Sequence, residues 1–205
     1  MQSFNPLKNR PLQAFHYIIL VDRDQAGQTL FLRSLTKGAA KHRGIRGIFV
    51  HTDNERTDLL LQEGIMRSDA RKRVIRETNR RLVDLFAEAG VGAVGMQWHQ
   101  MGKIDADGVL TFTNDPRTRI PHSTHLILSN LADEHGEVIP MEILGGTLSD
   151  ALSLPLIKVQ AARLDGVFVH RDAEPSEPAN MTAGHNVQSI TMDTWNTLQD
   201  YIFGA

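Results

Sequence analysis

The sequence predicts a three-layer α/β/α sandwich around a mostly parallel central sheet. Short, nearly continuous apolar runs recur along it, and segments with helically spaced apolar residues separate them. A continuous apolar run fits a strand buried on both faces, and strands alternating with helices pack as a parallel sheet covered on both sides. A length of 205 residues suits one domain with a real core.

Residues 16–21 (HYIILV) read as the first buried strand. Residues 28–42 place Leu30, Phe31, Leu35 and Ala39 at helical spacing, with Lys41, His42 and Arg43 in the last turn and Gly44 as the stop. A second strand covers 45–51 (IRGIFVH). Asp53 or Asn54 can cap a short helix through Leu61, closed by Gly64, and Ser68 or Asp69 can cap a long helix over 70–88, stopped by Gly90. Residues 91–96 form a third strand, and 104–113 a hairpin turning at Asp107-Gly108. Beyond it the sequence predicts a helix over 124–134 and a strand over 138–142 (VIPME). A helix over 148–162 follows a Gly145-Gly146 loop and is kinked or restricted by Pro155. A strand over 166–170, a mobile Pro-, Ala-, Ser- and Asn-rich loop over 171–188 and a last helix over 195–203, capped by Thr191 or Asp193, complete the reading. Residues 1–14 are read as an extension and 15–205 as the domain.

Composition narrows the function classes. The 22 Lys and Arg nearly balance the 24 Asp and Glu, for a formal charge of -2, so no general attraction to nucleic acid or an anionic membrane is expected. The absence of cysteine excludes thiolate nucleophiles, disulfides and Cys-based zinc sites. Residues 1–11 lack an apolar signal core, and no apolar run reaches the roughly 18–20 residues of a membrane span, so a cytoplasmic protein is expected.

Several segments carry a resemblance: Gly64-Ile65-Met66-Arg67, then Asn79-Arg80-Arg81-Leu82-Val83, then Ala89-Gly90-Val91-Gly92-Ala93-Val94-Gly95. In order and spacing these resemble the amino-acid kinase family, acetylglutamate kinase above all, over roughly residues 15–172. Residues 126–141, Asp150-Ala151-Leu152 and 161–169 resemble its later segments. The resemblance implies an amino-acid-kinase-like α/β/α sandwich. It also implies that Arg67 grips a substrate carboxylate, with Gly95 in the substrate site, and that Asp150 organises phosphoryl transfer. ATP and Mg²⁺ would be needed if the chain is active, and a homo-oligomer through the lobe of the long helix is expected.

The departures bear on chemistry. Where active members have Lys and a Gly-Gly pair after the first strand, this chain reads Leu20-Val21-Asp22-Arg23. After the second strand, Val50-His51 runs into Thr52-Asp53-Asn54-Glu55. Glycines let backbone N–H groups approach phosphate, and a lysine neutralises charge developing in transfer. Two like charges about 4 Å apart repel by ~4 kcal/mol at an effective dielectric of about 20, although Mg²⁺ can reverse the sign for a carboxylate. The family's second lysine and last helix–strand unit have no counterpart in this sequence, which reads as a reduced nucleotide lobe.

Each candidate has a functional and a structural account. Arg67 is either a bidentate carboxylate ligand or a surface arginine set unfavourably at a helix start. Asp150 is either the phosphoryl-transfer aspartate or an acid near a helix start. Gly145, Gly146 and Thr147 are either an anion cradle before a helix or a tight turn. Lys158 reads as a mid-helix, solvent-facing residue. His122 and His125 could share a helical face as metal ligands, and His51 and His170 sit at strand ends, but no metal-binding set is complete. Arg71, Arg73, Arg76, Arg80 and Arg81 are phosphate contacts or, with Glu77, Asp84 and Glu88, a salt-bridged face. Trp98 lines a pocket or interface, or is buried core. Three functions follow: a degenerate kinase-like protein binding a small anion or serving assembly, an active carboxylate-directed kinase with a rearranged nucleotide site, or a phosphate or nucleotide sensor at 145–147.

Overall fold

The computed structural model describes residues 15–42, 44–105 and 108–159, together with strand residues 163–164, 167–168 and 187–190. In chain order these form β1 (Tyr17–Val21), α1 (Arg23–Gly27), α2 (Thr29–Lys41), β2 (Gly47–His51), α3 (Arg56–Gln62), α4 (Arg67–Glu88) and β3 (Ala93–Gln97). After a single 3-10 turn at Trp98–Gln100 come β4 (Gly102–Ile104), β5 (Leu110–Phe112), α5 (Pro116–Arg119), β6 (His125–Ser129), α6 (Met141–Leu152) and β7 (Leu156–Val159). The short pair β8 (Arg163–Leu164) and β9 (Val167–Phe168) is followed by β10 (Val187–Ile190).

The main sheet has six strands in the order β10-β7-β1-β2-β6-β3, and every neighbouring pair is parallel. Strand alternation sorts its side chains into two layers. Ile18, Leu20, Ile48, Val50, Leu126, Leu128 and Leu156 face α6 and Trp98. Tyr17, Ile19, Phe49, Ile127 and Ile157 face α2 and α4. β1, β2 and β6 are buried along their whole length, as strands covered on both faces must be.

The expected elements of the first half of the chain form within two or three residues of their bounds, α1 is an addition that the sequence reading did not contain, and Gly64, Gly90 and Gly108 all turn with positive φ. One shift occurs at α4, which begins at Arg67 with Met66 as its N-cap, so Ser68 and Asp69 lie inside the first turn instead of capping it. Leu30 stands 82% exposed on α2, not in the core.

The later elements correct the sequence reading. Residues 125–129 (HLILS) are the strand β6, not a helix; a short apolar run fits either, and the place between β2 and β3 decides for the strand. Val138 makes one isolated bridge to Leu131, and Pro140 then caps α6, so no strand covers 138–142. α6 ends at Leu152, Ser153 turns with φ 54°, and Pro155 directly precedes β7, so there is no helix over 148–162. Pro disfavours helical backbone in the residue before it and breaks a helix interior, which is why the chain switches here. β10 overlaps the end of the loop expected over 171–188. The helix at 195–203 and most of that loop lie outside the described residues.

Candidate functional site

Parallel α/β sheets bind ligands beyond the carboxyl ends of their strands, where strand order reverses. From β1 the chain steps to β2 on one side, and after β6 it returns to β7 on the other, so the reversal lies between β1 and β7. Helices that precede a strand run back from the carboxyl edge, so α4 and α6 both begin there.

Asp22 follows β1 at this point. Its Oδ1 accepts the backbone N–H of Gln25 at 2.9 Å, and Gln25 Oε1 accepts the N–H of Asp22 at 3.2 Å, a capping box that starts α1. Burial pushes the Asp22 carboxyl up, while the Gln25 N–H and the neighbouring Lys158 act against that rise. Lys158 pairs in register with Leu20 on the adjacent strand, and alternation with Leu156 turns its side chain toward α6. There Lys158 Nζ donates to Glu142 Oε1 at 2.7 Å, with side chains 29% and 40% exposed. This hydrogen bond holds the Glu142 carboxyl below its ordinary range. One ammonium thus lies among two carboxylates at the switch point.

A second polar group lies below α4, across β2, β6 and β3. His51 ends β2 fully buried, and burial lowers its pKa to about 4, so the ring is neutral. The Asn79 amide nitrogen lies 3.1 Å from His51 Nε2 and donates to the carbonyls of Met96 at 3.1 Å and Ile127 at 3.2 Å. Ser129 stands in register with His51 and Gln97. Its buried hydroxyl has no hydrogen-bond partner among the described residues. Buried polar atoms are normally satisfied, so unmet groups at a strand edge mark a place for water or ligand.

The turn after β2 is closed by side chains, not by glycine. Asn54 Oδ1 accepts the Arg56 N–H at 3.0 Å, and Asn54 Nδ2 donates to Thr78 Oγ1 at 3.1 Å. With Asp53 and Glu55 in the same turn and Asp22 after β1, both turns offer carboxylates where a triphosphate would need N–H donors. They do not fit that group.

Arg67 is exposed at the first position of α4, and no ion-pair partner stands beside it among the described residues. It lies about 18 Å along the helix from Asn79, at the tip of an overhang. Gly95 sits in β3 beneath Asn79: a Cβ there would lie 2.0 Å from Asn79 Oδ1, so close packing explains this glycine. Gly145, Gly146 and Thr147 are in the interior of α6, where helical hydrogen bonds occupy the N–H groups. The anion cradle expected of a loop before a helix is therefore not formed. Asp150 is in the last turn of α6, at the amino edge of the sheet, about 12 Å along the helix from Glu142. The structure does not bring Arg67 and Asp150 together.

Lys158 and Glu142 are what sequence reasoning missed. Reading Pro155 as the start of a strand instead of a helix kink would have placed Lys158 near a strand's carboxyl end. His125 lies in β6 with its Nδ1 accepting the Gly47 N–H at 3.0 Å, so it shares no helical face with His122. Among the described residues no group of three or more His, Asp or Glu side chains is placed to hold a metal ion. Two of the arginines of α4 form ion pairs along the helix, Arg73–Glu77 at 3.2 Å and Arg80–Asp84 at 3.8 Å. Trp98 is fully buried against Phe112. No helix among the described residues is long and apolar enough to cross a membrane.

No protein-family model and no curated protein matches the chain. Solved structures do. Aspartate kinase from Synechocystis superposes with a TM-score of 0.59 at 11% identity, over 72% of this chain and 28% of that one. The isopentenyl phosphate kinase of T. acidophilum, solved as a product complex, gives 0.50 at 12% over 72% and 73%, and an isopentenyl phosphate kinase substrate complex gives 0.51 at 13% over 73% of both chains. The chain therefore has the mostly parallel α/β fold of these amino-acid-kinase-family structures.

Proposed function

We propose that this chain is a non-catalytic protein on a kinase fold, one that binds a small carboxylate or phosphate as a homo-oligomer. The observation that carries the reading is the turn after β1: Asp22 and Gln25 close it on themselves, leaving a carboxylate at the switch point and no glycine backbone open to a triphosphate. Arg67 supports an anionic ligand, because a guanidinium without a partner at a helix start lies against the dipole and gains from a bound anion. Calorimetry tests it. We expect no heat from ATP with Mg²⁺, and N-acetylglutamate or inorganic phosphate binding that weakens about tenfold in Arg67→Ala, the loss of one charged contact. Micromolar ATP binding would overturn it.

One observation favours a second reading, an active ATP-dependent small-molecule kinase. Lys158 brings an ammonium to the carboxyl edge beside β1, where the turn after β1 itself supplies no lysine. In that case ATP binding appears and falls in Lys158→Ala.

A further inference from the structure

A cavity of about 280 Å³ opens between the end of α1, the turn into α3, α3 and the middle of α4. It is not the strand-end site: none of Asp22, His51, Ser129, Glu142 or Lys158 lines it. Leu59 and Val74 give it an apolar wall, with Leu59 55% exposed toward it and Val74 buried.

Its charges sort themselves. Of the lining charges Arg56 and Glu77 pair at 2.7 Å and largely cancel, while Arg73, outside the lining, also bonds Glu77 at 3.2 Å. Two lining groups have no ion partner among the described residues, Arg81 and Glu55. Arg81 hydrogen-bonds the Thr29 hydroxyl, which steadies a fork whose other N–H groups remain open. The Glu55 carboxylate lies over Gly27, in ordinary contact with the position a Cβ would take there, at 3.5 Å.

One open guanidinium, one open carboxylate and an apolar wall are complementary to a zwitterion with an apolar side chain. A polyanion finds a single open cation there with an open carboxylate against it. The volume, at the small end of ligand cavities, fits a molecule of amino-acid size and not a nucleotide. We propose that this cavity binds a free neutral α-amino acid, its carboxylate on Arg81, its ammonium on Glu55 and its side chain against Leu59 and Val74. The site stands independently of the anion reading for Arg67.

The test is titration of the full chain with L-leucine, followed by calorimetry. Binding at about millimolar strength is expected, as for a half-open site with few anchors. Two probes on the unaltered protein check the two ends: 4-methylpentanoate lacks the ammonium and 3-methylbutylamine lacks the carboxylate, and each should bind at least about tenfold more weakly, the loss of one charge-assisted contact. Arg81→Gln and Glu55→Gln should each weaken leucine by a similar factor, whereas Arg67→Ala should leave it unchanged. No binding of leucine or valine at about 10 mM would overturn the proposal, since a built site of this kind reaches that range. So would equal binding of 4-methylpentanoate, or loss of leucine binding in Arg67→Ala.

Discussion

Gly95 stands in the middle of a strand, where glycine adds no packing side chain and ordinarily weakens the sheet. Its value lies in what it leaves free. Asn79 Oδ1 occupies the space a Cβ would need, and Val83 Cγ2 would lie 3.1 Å from it. Asn79 has little room to retreat, being held by two carbonyls and the His51 ring. Gly95→Ala should therefore cost about 1–3 kcal/mol, as forced overpacking does, read as a lower urea midpoint at unchanged slope. If the midpoint stays where it is, Asn79 moves easily and is not the pin described here.

Among the elements, α6 shows where pattern reading fails and why. Its twelve residues carry a Gly-Gly pair in their interior, a local signal for a loop that packing overrides: Gly145 lies so close to Leu20 and Leu156 that a Cβ would meet Leu20 at 2.8 Å. Short apolar runs such as HLILS and LIKV carry no period that tells strand from helix, so β6 and β7 were both hidden. The earlier strands, set off by Gly, Asp and Asn, were plain. The end of α6 is itself strained, since Ser153 takes φ 54° and ψ 49°. A left-handed residue with a Cβ is costly, and glycine relieves it, so Ser153→Gly should raise stability by about 0.5–1 kcal/mol, seen as a higher melting temperature. A lower one would mean that the serine side chain contributes more than the backbone relief.

At the scale of the molecule, two neutral histidines are enclosed between the sheet and α4. Burial lowers the pKa of both His51 and His125 from 6.5 to about 4. The unfolded chain therefore takes up protons first as pH falls, so stability is full above about 6.5 and drains between there and about 4. Each ring should cost about 2 kcal/mol of stability by about pH 5. Urea unfolding at about pH 7 and pH 5 measures it, and His51→Gln and His125→Gln should each flatten the dependence; a pH-independent midpoint would contradict the burial of these rings. Sequence reasoning placed His51 at a strand end but could not see the enclosure, because Asn79, Ser129 and Met96 come from distant parts of the chain. The same holds for the switch point: Asp22 was legible as a misplaced acid, while Glu142 and Lys158 met it only once β7 was laid beside β1. Asn79, finally, reaches partners 17, 28 and 48 residues away. Its bonds close only after three strands have met in the correct register, and a slip of one residue in any of them would present the wrong group to the amide. One side chain thus acts as a proofreader of alignment, rewarding the finished half-sheet and giving nothing to a partly assembled one.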